Sequence, residues 1–180
     1  VRIAFPGEAA ASESGGLPWE RLDQAVDRYR DAGFEVILAP RGGAPGAGSR
    51  LPAVGESEAL ETWKKFLRGL AERYRGRVRF YQSGDLPDRE GTLPAGAGPR
   101  EYAFLFKTGA VEIRGADPDS LIVLGSIGAG RLDFLEAVLR EDLGPYLDAV
   151  ALRGETGVDT AAALEKAGNL ILQQDPSAAL

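Results

Sequence analysis

The feature that most constrains this chain is a strict alternation of two patterns. Short apolar runs, each about five residues long, are separated by longer stretches with helical spacing. The runs are Val1 to Phe5, Glu35 to Ala39, Val78 to Gln82, Leu121 to Gly125 and Ala149 to Leu152. They are mostly apolar at successive positions, as strands buried on both faces are. From Pro18 to Gly33, residues Trp19, Leu22, Val26 and Tyr29 share one helical stripe, and Gly33 stands where a helix C-cap belongs. Ser57 is placed to N-cap a helix running to about Tyr74, with Leu60, Trp63, Phe66, Leu67 and Leu70 on its buried face. Further helices are expected over Arg100–Gly115, Leu132–Arg140 and Thr160 to about Leu172. Alternation of this kind implies right-handed crossovers and a parallel sheet. The fold class is therefore α/β, and residues 1–180 read as one domain. Two architectures fit: an open doubly wound sheet, or consecutive βα units of a (β/α)8 barrel.

Composition removes several chemistries. The chain has 180 residues, 44% of them hydrophobic and 27% charged, the balance of an ordinary soluble globular domain. A formal net charge of -6 argues against nucleic-acid binding, which rests on neutralising phosphates with Lys and Arg. No apolar stretch approaches the roughly 18 residues a membrane-spanning helix needs, so no membrane insertion is expected. Cys, His and Met are all absent. No thiolate or imidazole is available as nucleophile, base or metal ligand, so proton chemistry would fall to Asp, Glu, Lys or Tyr. No metal and no cofactor is expected. The opening Val-Arg-Ile-Ala-Phe-Pro is neither a signal peptide nor an initiator methionine, and the chain is expected to come from a larger product. No compartment can be read from it.

The turns after the strands weaken a nucleotide site. None carries Gly-x-Gly-x-x-Gly or a phosphate loop ending in Gly-Lys-Ser/Thr. Gly125-Ser-Ile-Gly-Ala-Gly130 has glycines at the wrong spacing and reads as a plain βα loop. Two long loops rich in Gly, Pro and Ala, Arg41 to Gly55 and Asp85 to Pro99, follow predicted strands. In a barrel, that end of the strands carries the binding face.

Four segments together carry a family resemblance. Trp19-Glu-Arg-Leu-Asp23 with Gly33-Phe-Glu-Val-Ile-Leu38 is one, and Trp63 to Val78, with Phe66, Tyr74 and Gly76, is another. The third is Glu101-Tyr102, Ile113-Arg114 and Ala116-Asp-Pro-Asp119 leading into Leu121-Ile-Val-Leu-Gly125. The fourth is Asp133-Phe-Leu135 with Tyr146-Leu-Asp-Ala-Val-Ala-Leu152. In order and spacing, they resemble strands two to six of the clan A (β/α)8 glycoside hydrolases, the barrel of β-xylosidases and cellulases. The resemblance implies a barrel left incomplete by this segment, because such barrels need about 200 residues or more.

The resemblance breaks where it matters most for activity. In that family strand four ends in Trp-Asn-Glu-Pro, whose glutamate is the acid/base. Aligned on Pro87 and Asp88, the Trp falls on Gly84, the Asn on Asp85 and the Glu on Leu86. A leucine transfers no proton. The retaining mechanism needs two carboxyls about 5–5.5 Å apart, one donating to the leaving oxygen. The family's second carboxylate lies on strand seven, beyond the segment matched here. The family's histidine after strand six falls near Arg153.

The candidates that remain are few. Asp85 is the one weak catalytic candidate, a displaced acid one residue early, against the simpler reading of a loop carboxylate turning with Pro87. Asp88 and Glu90 read as exposed loop charges. Of Tyr81 and Gln82, Gln82 is the better inward-facing polar residue, with a buried hydrogen-bonding role as its alternative. Arg41 and Arg153, expected just after their strands, are placed to clamp a carboxylate or phosphate, or to form surface ion pairs. Trp19 and Trp63 read as core. The function expected is a glycoside-hydrolase-like barrel that has lost catalysis and binds carbohydrate, or serves structurally, within a larger protein. Substrate-binding residues would be Gln82, Asp85, Arg41 and Arg153. The alternatives are an active retaining glycosidase with a displaced acid at Asp85, or with its catalytic residues outside this segment, and a protein-interaction scaffold. Expected partners are an oligosaccharide or polysaccharide, and the remaining polypeptide or another chain that completes the barrel.

Overall fold

A computed structural model describes residues 1–6, 19–42 and 50–174. Its elements alternate along the chain: β1 Arg2–Pro6, α1 Trp19–Asp31, β2 Ile37–Arg41, α2 Ser57–Tyr74, β3 Phe80–Gln82, α3 Pro99–Ala116, β4 Leu121–Gly128, α4 Leu132–Leu139, β5 Ala149–Arg153 and α5 Thr160–Gln174. A short 3-10 turn at Gly144–Tyr146 precedes β5 and has no counterpart in the sequence reading. The five strands form one sheet in the order β1-β2-β3-β4-β5, and every neighbouring pair is parallel. This sequential order decides between the two architectures. A doubly wound sheet reverses direction at a switch point; this sheet does not. It is a run of consecutive barrel units.

Pleating divides the strand residues between two faces. On one face Phe5, Leu38, Tyr81, Ile122 and Leu124 join the helix residues Leu22, Val26, Trp63, Leu67, Tyr102, Phe106 and Phe134 in a single core. The other face carries the alternate residues. There the register pairs Arg2 with Ile37, Ile37 with Phe80, and Phe80 with Leu121, while Gln82 pairs with Val123. Tyr81 therefore packs under the helices and Gln82 faces the concave side. Trp63 is fully buried, as expected of a core residue. Trp19 is half-buried beneath the Arg73 guanidinium, 4.9 Å from its ring centre.

Local chemistry explains several boundaries. Gly33 adopts φ +83°, and the Gly33 and Phe34 amides donate to the Arg30 and Tyr29 carbonyls at 2.8 and 3.0 Å, a Schellman close for α1. Tyr29 consequently leaves the predicted buried stripe. It is exposed and meets Phe34 edge-on, with ring centres 6.3 Å apart. Ser57 does not cap α2; it is the first helical residue, and no side chain caps that end. The carboxylate of Glu56 turns back instead, accepting from the Ala53 amide at 2.9 Å and from Arg50 Nη1 at 2.8 Å. Pro99, at the first position of α3, suits a helix start because it has no amide hydrogen to leave unpaired. Gly109 lets α3 approach β3 closely: a Cβ there would lie 2.6 Å from Ser83 Cβ.

β4 runs three residues beyond its expected end, to Gly128. Gly125-Ser-Ile-Gly128 is therefore strand, not loop. Its pairing with β5 shifts register between Gly125 and Ile127. At Gly125, φ is +103° and a Cβ would meet the Ala151 carbonyl oxygen at 2.6 Å, so glycine is required. Of the expected loop Arg41 to Gly55, residues 43–49 lie outside the described residues, as does Pro18 of the first helix.

Candidate functional site

In parallel βα units the strand C-termini share one edge. Here that edge is formed by Pro6, Arg41, Gln82, Gly128 and Arg153. Arg41 and Arg153 are the last residues of β2 and β5, inside the strands rather than just after them.

Three of the four sequence-derived candidates meet in one cluster, around Asp85. Its side chain is fully buried, whereas a turn carboxylate was expected. Arg2 forms an ion pair with Oδ1, and Arg41 Nε donates to Oδ2 at 3.2 Å. The Arg2 contact is close in distance but lacks hydrogen-bond alignment. Arg2 Nε also donates to Gln82 Oε1 at 2.5 Å. Gln82 is itself fully buried, and its Nε2 donates to the Gly125 carbonyl. Both ends of the Gln82 amide are thus engaged within the protein. Arg2 was missed by sequence reading. Its signal was available: a charged residue on the pleated face that opposes the packed Phe5.

The fourth candidate lies in a second cluster. Arg153 Nη2 donates to Glu155 Oε1 at 2.9 Å and lies 3.5 Å from Asp88 Oδ2. The Gly130 amide and the Arg153 guanidinium hold the Glu155 carboxyl below the usual glutamate range. Asp88 corrects the expectation of an exposed loop charge, since its side chain is only 2% exposed. Its Oδ2 accepts from the Gly128 amide at 2.9 Å, and its carbonyl accepts from Arg131 Nη1 at 3.3 Å. Asp88 Oδ1 is buried with no hydrogen-bond partner. Glu90 is exposed, as expected. Between the clusters lies Tyr102, fully buried, whose hydroxyl accepts from the Gly125 amide at 3.3 Å. Burial pushes its phenol well above the ordinary tyrosine value.

The turn that carries Asp85 is shaped by its neighbours. Gly84 has φ +109°, and a Cβ on it would stand 3.2 Å from Leu51 Cδ1. Leu51 is fully buried, and its amide donates to the Thr92 carbonyl at 2.7 Å, which joins the loops after β2 and β3. Leu86 is half-buried and takes φ +55°, unusual for a residue with a side chain. The position aligned with the family's proton donor is thus an aliphatic group. The adjacent carboxylate has guanidinium nitrogens against both of its oxygens. Among the described residues, no group of three or more His, Cys, Asp or Glu gathers to hold a metal ion. No helix there is long and apolar enough to cross a membrane.

The sheet order and the strand-end site invite comparison with solved structures. The chain is similar to a thermostable mutant of a xylanase from Cellvibrio japonicus, with a TM-score of 0.67 at 14% identity. The match covers 98% of this chain and 58% of that one. The fold of this chain is that of part of a (β/α)8 barrel. A xylanase A mutant from P. fluorescens subsp. cellulosa in complex with xylopentaose matches equally well, with a TM-score of 0.67 at 14% identity, covering 97% of this chain and 58% of that one. A family 39 glycoside hydrolase from Bacteroides cellulosilyticus matches with a TM-score of 0.60 at 19% identity, over 84% of this chain and 31% of its own length. The chain thus spans less than two thirds of each of these barrels. No protein-family model and no curated protein sequence matches it.

Proposed function

We propose that this chain is part of a glycoside-hydrolase-like barrel that has lost catalysis and binds carbohydrate at its strand-end face, as a module of a larger protein. One observation carries the reading: the acid position holds Leu86, and the nearest carboxylate, Asp85, is committed to Arg2 and Arg41. A general acid must bring a proton to within hydrogen-bond reach of the leaving oxygen. Leu86 has none to bring, and the Asp85 side chain is fully buried with a guanidinium against each oxygen, which favours its ionised form. Asp88 is buried beneath the loop and bound to the Gly128 amide. What remains on the edge is suited to holding a ligand. Arg41 and Arg153 present guanidinium groups, while Asp85 holds Arg41 in place.

Completion of the barrel belongs to the same proposal. Along β5 no residue is fully buried, and Ala149 is exposed. At the opposite edge, Phe5 is the one buried residue among Arg2 to Phe5 of β1. Bare strand edges invite pairing, so these two strands are the surfaces on which further polypeptide would close the barrel.

The test is a pair of assays on the purified chain. Turnover is measured on aryl β-xylosides, β-glucosides and β-mannosides, and binding on neutral xylo-, cello- and manno-oligosaccharides. The expected result is measurable binding with negligible turnover, since loss of a general acid alone removes on the order of 10²–10⁴-fold. Robust hydrolysis abolished by Asp85→Asn would instead establish the active enzyme with a displaced acid. Absence of both binding and turnover would leave the interaction scaffold.

A further inference from the structure

We infer that the strand-end site selects acidic sugars, with the Arg41 guanidinium receiving the carboxylate of a uronic acid residue. This rests on the proposal that the face binds carbohydrate, and it names the class of carbohydrate.

The inference comes from how Arg41 is held. Its Nε is spent on Asp85 Oδ2 at 3.2 Å. The two terminal nitrogens, Nη1 and Nη2, make no hydrogen bond among the described residues. A guanidinium anchored through Nε presents these two nitrogens as a fork facing away from the anchor. That fork matches a carboxylate through two parallel hydrogen bonds. The side chain of Arg41 is 58% exposed, so the fork is reachable, while its anchor Asp85 is fully buried and fixed.

Charge accounting points the same way. Two guanidinium groups, Arg2 and Arg41, face one carboxylate, Asp85. Gln82 contributes no charge, and its amide is satisfied by Arg2 and Gly125. Among the described residues, the cluster therefore carries one uncompensated positive charge on its exposed member. Arg153, the other arginine of this edge, differs: Glu155 and Asp88 both face it. One net charge on a planar fork suits a monoanionic, planar carboxylate. A phosphate monoester, with about −1.5 to −2 charges, would be left partly unneutralised. A neutral sugar would leave the fork facing only water.

The experiment compares two ligands on the intact chain by calorimetry. One is a xylo-oligosaccharide bearing a glucuronate branch. The other is the same oligosaccharide with its carboxyl reduced to the alcohol. The acidic ligand should bind about tenfold more tightly, and the difference should shrink as salt is raised. Arg41→Gln should bring the acidic ligand down to the affinity of its reduced counterpart. Arg41→Lys, which keeps the charge but loses the fork, should recover only part of the preference. Arg2 still pairs with Asp85 in both variants, and thermal unfolding of each checks that the fold is intact. Equal affinity for the two ligands overturns the inference and leaves carbohydrate binding standing. Displacement of the acidic ligand by inorganic phosphate at matched ionic strength would mark an unselective anion site and also overturn it. Binding of neither ligand removes both proposals.

Discussion

Arg2, at the start of β1, forms an ion pair with the fully buried carboxylate of Asp85, beyond the end of β3. One side chain thus spans the concave face and fixes the turn aligned with the catalytic motif of the glycosidases. It also supplies the hydrogen bond to Gln82 Oε1. Removing one partner of a buried charge pair is costly because the other charge stays behind in a poor solvent for ions. Arg41 remains to compensate in part. Arg2→Leu should therefore destabilise the fold by about 2–4 kcal/mol, read as a shift of the urea midpoint at constant slope. The double variant Arg2→Leu, Asp85→Leu should cost less than the sum of the two single variants. Additive losses would show that the pair is not coupled.

Two helical glycines should respond to alanine with opposite signs. Gly69, within α2, has nothing within 4 Å of the place its Cβ would take. Alanine there gains helix propensity and should stabilise by about 0.5–1 kcal/mol. Gly109, within α3, would set its Cβ 2.6 Å from Ser83 Cβ and 3.0 Å from Leu67 Cδ1. Overpacking of this kind should outweigh the propensity gain and destabilise by about 1–3 kcal/mol. Thermal unfolding of both variants checks the pair, and a Gly109→Ala variant as stable as the parent or more so would refute the close packing of α3 on Ser83.

The loop after β2 should loosen in acid. The Arg50 guanidinium, with help from the Ala53 amide, pulls the Glu56 carboxyl down to about 2. An unfolded glutamate titrates near about 4.3. The folded value is the lower one, so Glu56 contributes stability above about pH 4.3 and loses it as pH falls toward 2. Glu56→Gln should lower the melting temperature at pH 7, and the difference from the parent should fade on acidification across that window. A gap independent of pH would show that the ion pair contributes nothing.

The fold was legible because its signals are local and repeated. The α2 range, Ser57 to Tyr74, could be read from the spacing of Trp63, Phe66, Leu67 and Leu70, which all face the core. Gly33 announced the close of α1 by the conformation that only glycine takes easily. The site was legible in part. Arg41, Gln82 and Asp85 stood out by type and place, yet Arg2, which joins Gln82 to Asp85, is some 80 positions from Gln82 in the chain. No local pattern encodes that meeting; the sheet order creates it. Asp88 was misread for the same reason. A loop aspartate reads as solvated until the Gly128 amide of a neighbouring strand covers it. Tyr29 left its stripe because the Schellman turn gave it Phe34 as a nearer apolar partner.

Binding without cleavage is tested most directly by one nuclear magnetic resonance titration of the labelled chain with a xylo-oligosaccharide carrying a glucuronate branch. The protein signals report where the sugar sits, and the anomeric signals of the sugar report whether its bonds survive. The account predicts shifts concentrated at Arg41, Gly42 and the Gly128–Arg131 turn, with the sugar spectrum unchanged over days. New reducing-end signals would contradict the loss of catalysis, and protein signals that stay unmoved at saturating sugar would contradict the binding face itself.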